Sequence, residues 1–190
     1  MIIGLMGLKK SGKTLAANYL VSNYNFVERA FADCLKKAIQ EIFLLTDDQV
    51  FGTQEQKEEC DSRWFNCSPR QILQFVGTDL LRNNLNLIMP EIGKNVFVHH
   101  MRIWCQDQFK DSKFRLVIPD VRFQNEVDFI HELGGIVIKI NRFDSSLDTH
   151  ASENELLNIE NFDYQINNNT TIEEFVIAIN ECLKTISKNT

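Results

Sequence analysis

The sequence predicts an α/β protein in which a mostly parallel sheet of five strands is covered by helices on both faces, in three layers. Its 190 residues are 44% hydrophobic and 24% charged, which are ordinary values for one globular domain. Short apolar runs alternate with helical segments along most of the chain, the order typical of β-α-β units. The first apolar run leads through a glycine-rich turn into a helical segment within residues 1–21. These three observations define the fold class.

Each predicted strand is a short apolar run that ends in a turn, and a helix follows most of them. Residues 46–67 are polar and charged, and they predict an irregular connection with no chemistry of its own. The strands are predicted at residues 1–6, 26–31, 114–118, 136–140 and 162–168. The helices are predicted at residues 15–21, 34–44, 68–82, 92–110, 123–133 and 172–186.

The chain is predicted to form a single domain over residues 1–190. A helical segment over about residues 46–110 interrupts the strand–helix alternation and is expected to be an insertion that binds substrate. A polar loop over about residues 142–155 is expected to be a lid. The parallel sheet would then carry two appendages that can reach its carboxyl edge.

Residues 7–14 match the phosphate-binding pattern G-x-x-x-x-G-K-[ST] in full. Gly7 and Gly12 allow a backbone path that residues with a Cβ resist, so that successive N–H groups can point at one anion. The helix that follows presents its positive end to the same phosphates. Lys13 can reach the β- and γ-phosphate oxygens, and the Thr14 hydroxyl can bind Mg²⁺. The predicted ATP-binding residues are Gly7, Lys9, Lys10, Ser11, Gly12, Lys13 and Thr14.

Asp120 and Arg122 follow the buried strand at residues 114–118, and the carboxyl ends of parallel strands meet at one edge of the sheet. A carboxylate at this edge is what a magnesium–nucleotide site requires. We therefore predict Thr14 and Asp120 as metal-binding residues, with Arg122 projecting into the same crevice. Arg142 follows the next strand and begins the predicted lid, so it can close over ATP.

A basic and amide face is predicted on the helix that opens at Ser68. Arg70, Gln74, Gly77 and Thr78 lie about one turn apart and can share this face. A cation near a helix N-terminus opposes the helix dipole, which favours a role in binding over simple solvent exposure. The face is suited to a phosphate and a base.

Asp33 has two interpretations. It follows the second predicted strand, so it is either the N-cap of the next helix or a carboxylate that orients the acceptor or the waters of the metal. The residues leave both open.

Composition excludes several classes of protein. The net charge of −6 argues against a nucleic-acid-binding or anionic-membrane-binding surface, which needs a basic face. The five cysteines are scattered and form no C-x-x-C pair, so they indicate reduced thiols rather than a zinc site or a disulfide framework. No apolar stretch is long enough to cross a bilayer, and the N-terminal run is too short for a signal peptide. We expect a cytoplasmic protein, in the host cytoplasm if it is viral.

Several phrases together resemble the deoxynucleoside monophosphate kinases of tailed bacteriophages and other large viruses. They occur in the order of that family and cover most of the chain. The Pro-Arg-Gln and Asp-Val-Arg-Phe-x-Asn-Glu phrases are distinctive. The matching segments are residues 7–13, 31–36, 68–79, 118–126 and 150–153.

The resemblance implies that ATP lies on residues 7–14. The chain differs from many members of that family at the end of the loop: they have Lys-Asp-Thr, whereas here Thr14 follows Lys13 directly. Relatives also place a Trp after the Gly-Thr-Asp phrase, and the nearest position here is Phe97, which would stack on the base. The resemblance implies a deoxynucleotide site made of Asp33, Arg70, Gln71, Gln74, Gly77, Thr78, Phe97, Asp120, Arg122 and Glu126.

The implied reaction is ATP + dNMP → ADP + dNDP, a step of deoxynucleotide biosynthesis with ATP and Mg²⁺ as cofactors. Lys13, Arg70, Arg122 and Arg142 are the expected catalytic residues, because phosphoryl transfer needs positioning and charge neutralisation. Two alternatives remain open at this point. One is a small P-loop kinase with a hydroxyl acceptor, such as dephospho-coenzyme A kinase, in which Asp33 would act as general base. The other is a switch that only binds or slowly hydrolyses ATP. A homodimer is compatible with the implied reaction and with both alternatives.

Overall fold

The computed structural model describes residues 1–108, 114–143, 156 and 158–189. The strands are β1 Ile2–Met6, β2 Val27–Glu28, β3 Leu116–Val121, β4 Ile136–Asn141 and β5 Tyr164–Asn167. The α-helices are α1 Lys13–Tyr24, α2 Asp33–Ile42, α3 Asp47–Phe51, α4 Gln54–Glu58, α5 Pro69–Gln74, α6 Val96–Gln108, α7 Gln124–Glu132 and α8 Ile172–Asn189. A π-helix, Phe75–Arg82, follows α5, and 3-10 turns lie at Ser62–Trp64, Leu85–Leu87 and Pro90–Ile92.

The strands form one sheet in the order β2-β3-β1-β4-β5. The neighbouring strands in this sheet pair in parallel, which confirms the predicted α/β class. Because parallel strands share a direction, their carboxyl ends lie along one edge. The glycine-rich turn begins at this edge, directly after β1.

Helices cover both faces of the sheet. Successive side chains of a strand point to opposite faces, so alternate residues of β1 enter different cores. On one face Ile3 and Leu5 are buried in a cluster with α1 and with Phe175 of α8. On the other face Gly4 lies so close to Ile130 of α7 that a Cβ there would meet the Ile130 side chain. The predicted three layers are confirmed.

The chain divides into two compact units, which we call the sheet unit and the helical unit. The sheet unit comprises Met1–Ala30 and Cys105–Thr190, and the helical unit comprises Phe31–Trp104. The single domain with an insertion over about residues 46–110 stays a prediction. Of the predicted lid, residues 144–155 lie outside the described part of the chain, and so does the 150–153 segment of the family resemblance.

The prediction of an irregular connection over residues 46–67 is wrong, because the segment contains α3, α4 and a 3-10 turn. Both helices begin with a capping box, in which a threonine hydroxyl accepts from the backbone N–H three residues on and a glutamine side chain accepts from the threonine N–H. Such boxes satisfy N–H groups that a helix start leaves open, and they stabilise helices as short as these.

Two predicted boundaries also need correction. The N-cap of α2 is Ala32, so Asp33 is the first residue of the helix and not its cap. The second strand is only Val27–Glu28, although the chain runs beside β3 for one more hydrogen bond, from Arg29 N–H to Val117 O. Within the described ranges, no helix is long and apolar enough to cross a bilayer.

Candidate active site

The glycine-rich turn has a backbone that only glycine adopts easily. Gly7 has φ 151° and Gly12 has φ 110°. A Cβ on Gly7 would collide with the backbone oxygen of Ile140 and lie 2.8 Å from Ser11 Oγ. A Cβ on Gly12 would collide with the side-chain amide of Asn168. The two glycines of the motif are therefore required by their backbone angles and by the close approach of Ile140 and Asn168.

Lys13 closes the turn from the side of α1. Its Nζ donates to the backbone oxygens of Gly7 and Leu8, each at 2.7 Å. The ammonium group therefore lies at the beginning of the loop while its backbone lies at the end, as the motif predicts for a lysine that reaches bound phosphates. Thr14, the next residue, is exposed at the second position of α1.

Strand β3 delivers two polar side chains beside the start of this loop. Gly4 pairs with Ile118, but Met6 pairs with Val121, so β3 has one extra residue between these pairs. Such a bulge re-aims the side chains at a strand end. Asp120 and Arg122 flank Val121, which lies opposite the residue that precedes the loop. The structure thus places both predicted residues at the loop's edge of the sheet.

Glu126 is almost completely buried, with 2% of its surface exposed. Its Oε2 accepts from the N–H of Arg122 at 2.8 Å and from the N–H of Phe123 at 3.2 Å. A carboxylate at this position satisfies backbone donors at the start of α7, and its negative charge interacts favourably with the positive end of the helix. These two hydrogen bonds are to the protein backbone, where they hold the chain that carries Arg122.

In the helical unit, Arg70 lies at the start of α5 and its guanidinium is turned toward α4. It donates to Gln54 Oε1 at 2.6 Å and lies 3.7 Å from Glu58 Oε1. Gln71, one residue on, forms the capping box of α5: its Oε1 accepts from Ser68 N–H at 2.9 Å. The Gln71 side chain is thus occupied by the helix start.

A π-helix carries the rest of the predicted face. Its wider turns close on residues five apart, and such segments are frequent at functional sites. Gly77 is buried within it, and a Cβ there would lie 2.6 Å from Leu35 of α2. Gln74 and Thr78, on either side, are half-buried. The absence of a side chain at Gly77 therefore lets α2 approach this helix closely.

Phe97 is buried in the helical unit, with 6% exposed. The guanidinium of Arg82 lies 5.3 Å from the centre of its ring, within the range of a cation–π contact. Arg82 also donates to the backbone oxygen of Lys94 at 3.4 Å. One face of the ring is therefore covered by Arg82, and base stacking on Phe97 stays a prediction.

Two lysines that the sequence did not single out lie with Arg70. Burial lowers the pKa of Lys57, and the positive charges of Lys36 and Arg70 lower it further. Lys36 has a counter-charge in Asp33, at 3.7 Å. In the described ranges Lys57 has no carboxylate within ion-pair distance. We call Lys36, Lys57 and Arg70 the basic cluster. Nothing in the local sequence marks it, because its members are on three different helices.

Asn168 was also missed. It follows β5, it is 6% exposed, and its side-chain Nδ2 donates to Ser11 O of the loop at 2.9 Å. A buried asparagine after a strand is a weak signal, and the contact joins residues 157 positions apart. Arg142 follows β4 at the same edge and is exposed.

The predicted residues thus fall into two groups. The sheet unit carries the loop with Asp120, Arg122, Glu126 and Arg142, and the helical unit carries Asp33, Phe97 and the α5 face. In the described part of the chain no group of three or more His, Cys, Asp or Glu side chains could hold a metal ion by itself. A magnesium–nucleotide site needs no such cage, because Mg²⁺ is bound mainly through phosphates, water and one or two protein oxygens.

A complete phosphate loop, at the carboxyl edge of a parallel sheet and beside an aspartate-bearing strand end, defines a P-loop nucleotide-binding protein. Comparison with known proteins narrows the class. Residues 49–179 match the family model described as deoxynucleotide monophosphate kinase.

Full-length relatives carry the same description. A protein of Acanthamoeba polyphaga mimivirus that is named for this activity is 55% identical over 190 residues, covering 99% of this chain and 98% of that protein. The deoxynucleotide monophosphate kinase of Enterobacteria phage T4 is 25% identical, covering 97% and 99%. The chain belongs to the deoxynucleotide monophosphate kinase family.

Among solved structures, a dephospho-CoA kinase from Campylobacter jejuni is 15% identical with a TM-score of 0.49, covering 99% of this chain and 98% of that chain. A shikimate kinase from Aquifex aeolicus is 13% identical with a TM-score of 0.44, covering 100% and 98%.

Proposed function

We propose that this chain transfers the γ-phosphoryl group of ATP to the phosphate of a deoxynucleoside monophosphate, giving ADP and the diphosphate. The observation that carries the proposal is the intact phosphate loop beside Asp120 and Arg122, in a member of the deoxynucleotide monophosphate kinase family. The partners are ATP and a small nucleotide, and the reaction serves deoxynucleotide biosynthesis.

The loop fits the phosphates of ATP. Gly7 and Gly12 adopt the positive φ angles that let the backbone of the turn curve around an anion, and Lys13 Nζ lies at the beginning of the loop. The Thr14 hydroxyl and the Asp120 carboxylate supply the hard oxygen atoms that Mg²⁺ prefers. When bound, Mg²⁺ would neutralise charge on the β- and γ-phosphates.

The basic cluster suits the acceptor. A monophosphate is a dianion near neutral pH, and the cluster supplies three cations that can attract it, of which Lys36 and Arg70 each have a carboxylate at 3.7 Å. Lys57 is partly desolvated and has no carboxylate at ion-pair distance among the described residues, so a bound dianion would offset the repulsion that Lys57 meets from Lys36 and Arg70. Arg70 would hold the phosphate, and Lys36 and Lys57 would strengthen the site.

Catalysis then rests on positioning. A phosphate dianion is already a nucleophile and needs no strong general base, which distinguishes this reaction from transfer to a hydroxyl. Lys13, Arg122 and Arg142 would neutralise the negative charge on the phosphoryl group in the transition state of its transfer. Asp120, with Thr14, would hold the metal.

The test is ADP release from ATP in the presence of the four dNMPs, dUMP and the ribonucleoside monophosphates. We expect at least one dNMP to accelerate ADP release. Arg122→Ala should lower the rate by about 10²–10³-fold, the loss typical of one charge-stabilising donor. The matched control is Arg115→Ala, an exposed arginine just before the other end of β3, which should retain normal turnover.

Three results would contradict the proposal. If no monophosphate accelerates ADP release, the chain is a nucleotide-binding switch. If only a hydroxyl compound does so and Asp33→Asn is inactive, the chain is a hydroxyl kinase. If Arg122→Ala turns over normally, the assignment of Arg122 is wrong.

A further inference from the structure

Asn168 connects three segments at the carboxyl edge of the sheet. Its Nδ2 donates to Ser11 O at 2.9 Å, and its backbone N–H donates to Asn141 O at 2.7 Å. Its amide lies directly against Gly12, where a Cβ would collide with it. The residue is 6% exposed, so water cannot easily replace this donor.

The hydrogen bond to Ser11 O determines the orientation of one peptide plane. The C=O of Ser11 and the N–H of Gly12 belong to the same planar trans peptide, in which they point in opposite directions. Because Asn168 holds the C=O on its own side, the N–H of Gly12 is directed away from Asn168. In the motif the backbone N–H groups of this turn are the donors that cradle the phosphates.

The glycine makes this control necessary. A residue with a Cβ has a narrow choice of backbone angles, whereas glycine adopts many and φ 110° at Gly12 is only one of them. The Ser11 N–H donates to Leu8 O at 3.2 Å, which holds the preceding peptide. The Ser11–Gly12 peptide is held from outside the loop, by Asn168.

We propose that Asn168 is a positioning residue for the ATP site: its amide fixes the Ser11–Gly12 peptide so that the Gly12 N–H faces the bound nucleotide's phosphates. The proposal rests on the proposed binding of ATP to this loop, but not on the identity of the acceptor. Asn168 acts through Gly12 and need not touch the nucleotide.

The experiment measures ADP binding by isothermal titration calorimetry for the wild type, Asn168→Ala and Asn167→Ala. Asn167 is the matched control, since it is exposed at the end of β5 and its side chain accepts only from Gln165 Nε2 at 3.3 Å among the contacts described. We expect Asn168→Ala to raise the Kd for ADP about ten-fold, because the hydrogen bond that orients the Ser11–Gly12 peptide is lost. Asn167→Ala should stay within about two-fold.

A purely structural role would not change the two readouts that follow. In kinetics, Asn168→Ala should raise KM for ATP and leave KM for the dNMP unchanged. In ¹H–¹⁵N spectra, ADP should shift the Gly12 amide strongly in the wild type and only weakly in the variant. Should Asn168→Ala fail to fold, Asn168→Ser keeps a small polar side chain and serves the same tests.

An Asn168 variant that folds and binds ADP with wild-type affinity would overturn the proposal, and so would equal losses in Asn168→Ala and Asn167→Ala. A wild-type protein that binds ADP but phosphorylates no dNMP would refute the proposed function alone. A wild-type protein that does not bind ADP would refute both.

Discussion

Replacing Glu126 by alanine should destabilise the sheet unit. The carboxylate accepts from two backbone N–H groups, those of Arg122 and Phe123, in a site with 2% exposure. Hydrogen bonds to a charged group contribute about 1.5–3 kcal/mol each, and an orphaned buried donor costs a similar amount. Because the two bonds share one oxygen and do not add fully, we expect a loss of about 4 kcal/mol.

That loss corresponds to a fall in Tm of roughly 8–16 °C, since 1 kcal/mol shifts Tm by about 2–4 °C in a chain of this size. Glu126→Gln should lose only about 1–2 kcal/mol, because the amide oxygen still accepts while the charge is gone. The control is Asp128→Ala on the same helix, where the carboxylate accepts only from exposed Gln124 among the described contacts. It should change stability by about 0.5 kcal/mol or less.

Calorimetry and urea unfolding followed by far-ultraviolet circular dichroism measure these values. Tryptophan fluorescence is unsuitable, because Trp64 and Trp104 are both in the helical unit. A loss below about 1 kcal/mol in Glu126→Ala would refute the capping role. A Glu126→Gln protein of wild-type stability with a raised KM for the dNMP would instead support the direct contact with substrate that the family resemblance implies.

Three further predictions concern the loop and the titratable groups. Gly7→Ala should raise the Kd for ADP roughly ten-fold or more, because alanine is strained at this φ and meets the backbone of β4; an unchanged titration would contradict this. Hydrogen bonds from Arg63 hold the pKa of Asp61 well below its usual range, so its contribution to stability is complete above about pH 4 and is lost as the pH falls further. Asp61→Asn should therefore lose less stability than the wild type between pH 5 and pH 3 in urea titrations, and equal losses would contradict the assignment. Burial raises the pKa of Cys182 to about 11, so iodoacetamide at pH 8 should modify it far more slowly than exposed Cys60 by mass spectrometry; equal rates would refute this.

The parts of the site that could be predicted from the sequence are those formed by consecutive residues. The phosphate-loop motif consists of eight consecutive residues, because a single backbone turn forms the phosphate-binding site. Asp120 and Arg122 could be placed because a buried strand precedes them and parallel strands end at one edge. The bulge that brings them opposite Met6 was not predicted, although Pro119, which has no N–H for a strand ladder, is a local hint.

One error concealed a signal that was present in the sequence. Thr46 with Gln49 and Thr53 with Gln56 have the spacing of capping boxes, and they start the helices that a polar composition concealed. The same spacing between Ser68 and Gln71 indicates the capping box that the Gln71 side chain forms, and the substrate contact that the resemblance implies for Gln71 stays a prediction.

Other features depend on contacts between distant parts of the chain. Asn168 meets Ser11 across 157 residues, and the basic cluster gathers residues from α2, α4 and α5. No local spacing encodes such contacts, because they arise only when the helices and strands pack. They are also the contacts that the sequence interpretation missed.

In the proposed reaction the group transferred from ATP ends on a phosphate and not on a hydroxyl. Phosphorus NMR of a reaction with ATP, Mg²⁺ and the preferred dNMP tests it most directly, since a diphosphate and a phosphomonoester have different signals. We predict the loss of the dNMP signal with equal growth of the two coupled signals of the dNDP. A new phosphomonoester on the deoxyribose, or inorganic phosphate as the only product besides ADP, would contradict transfer to the dNMP phosphate.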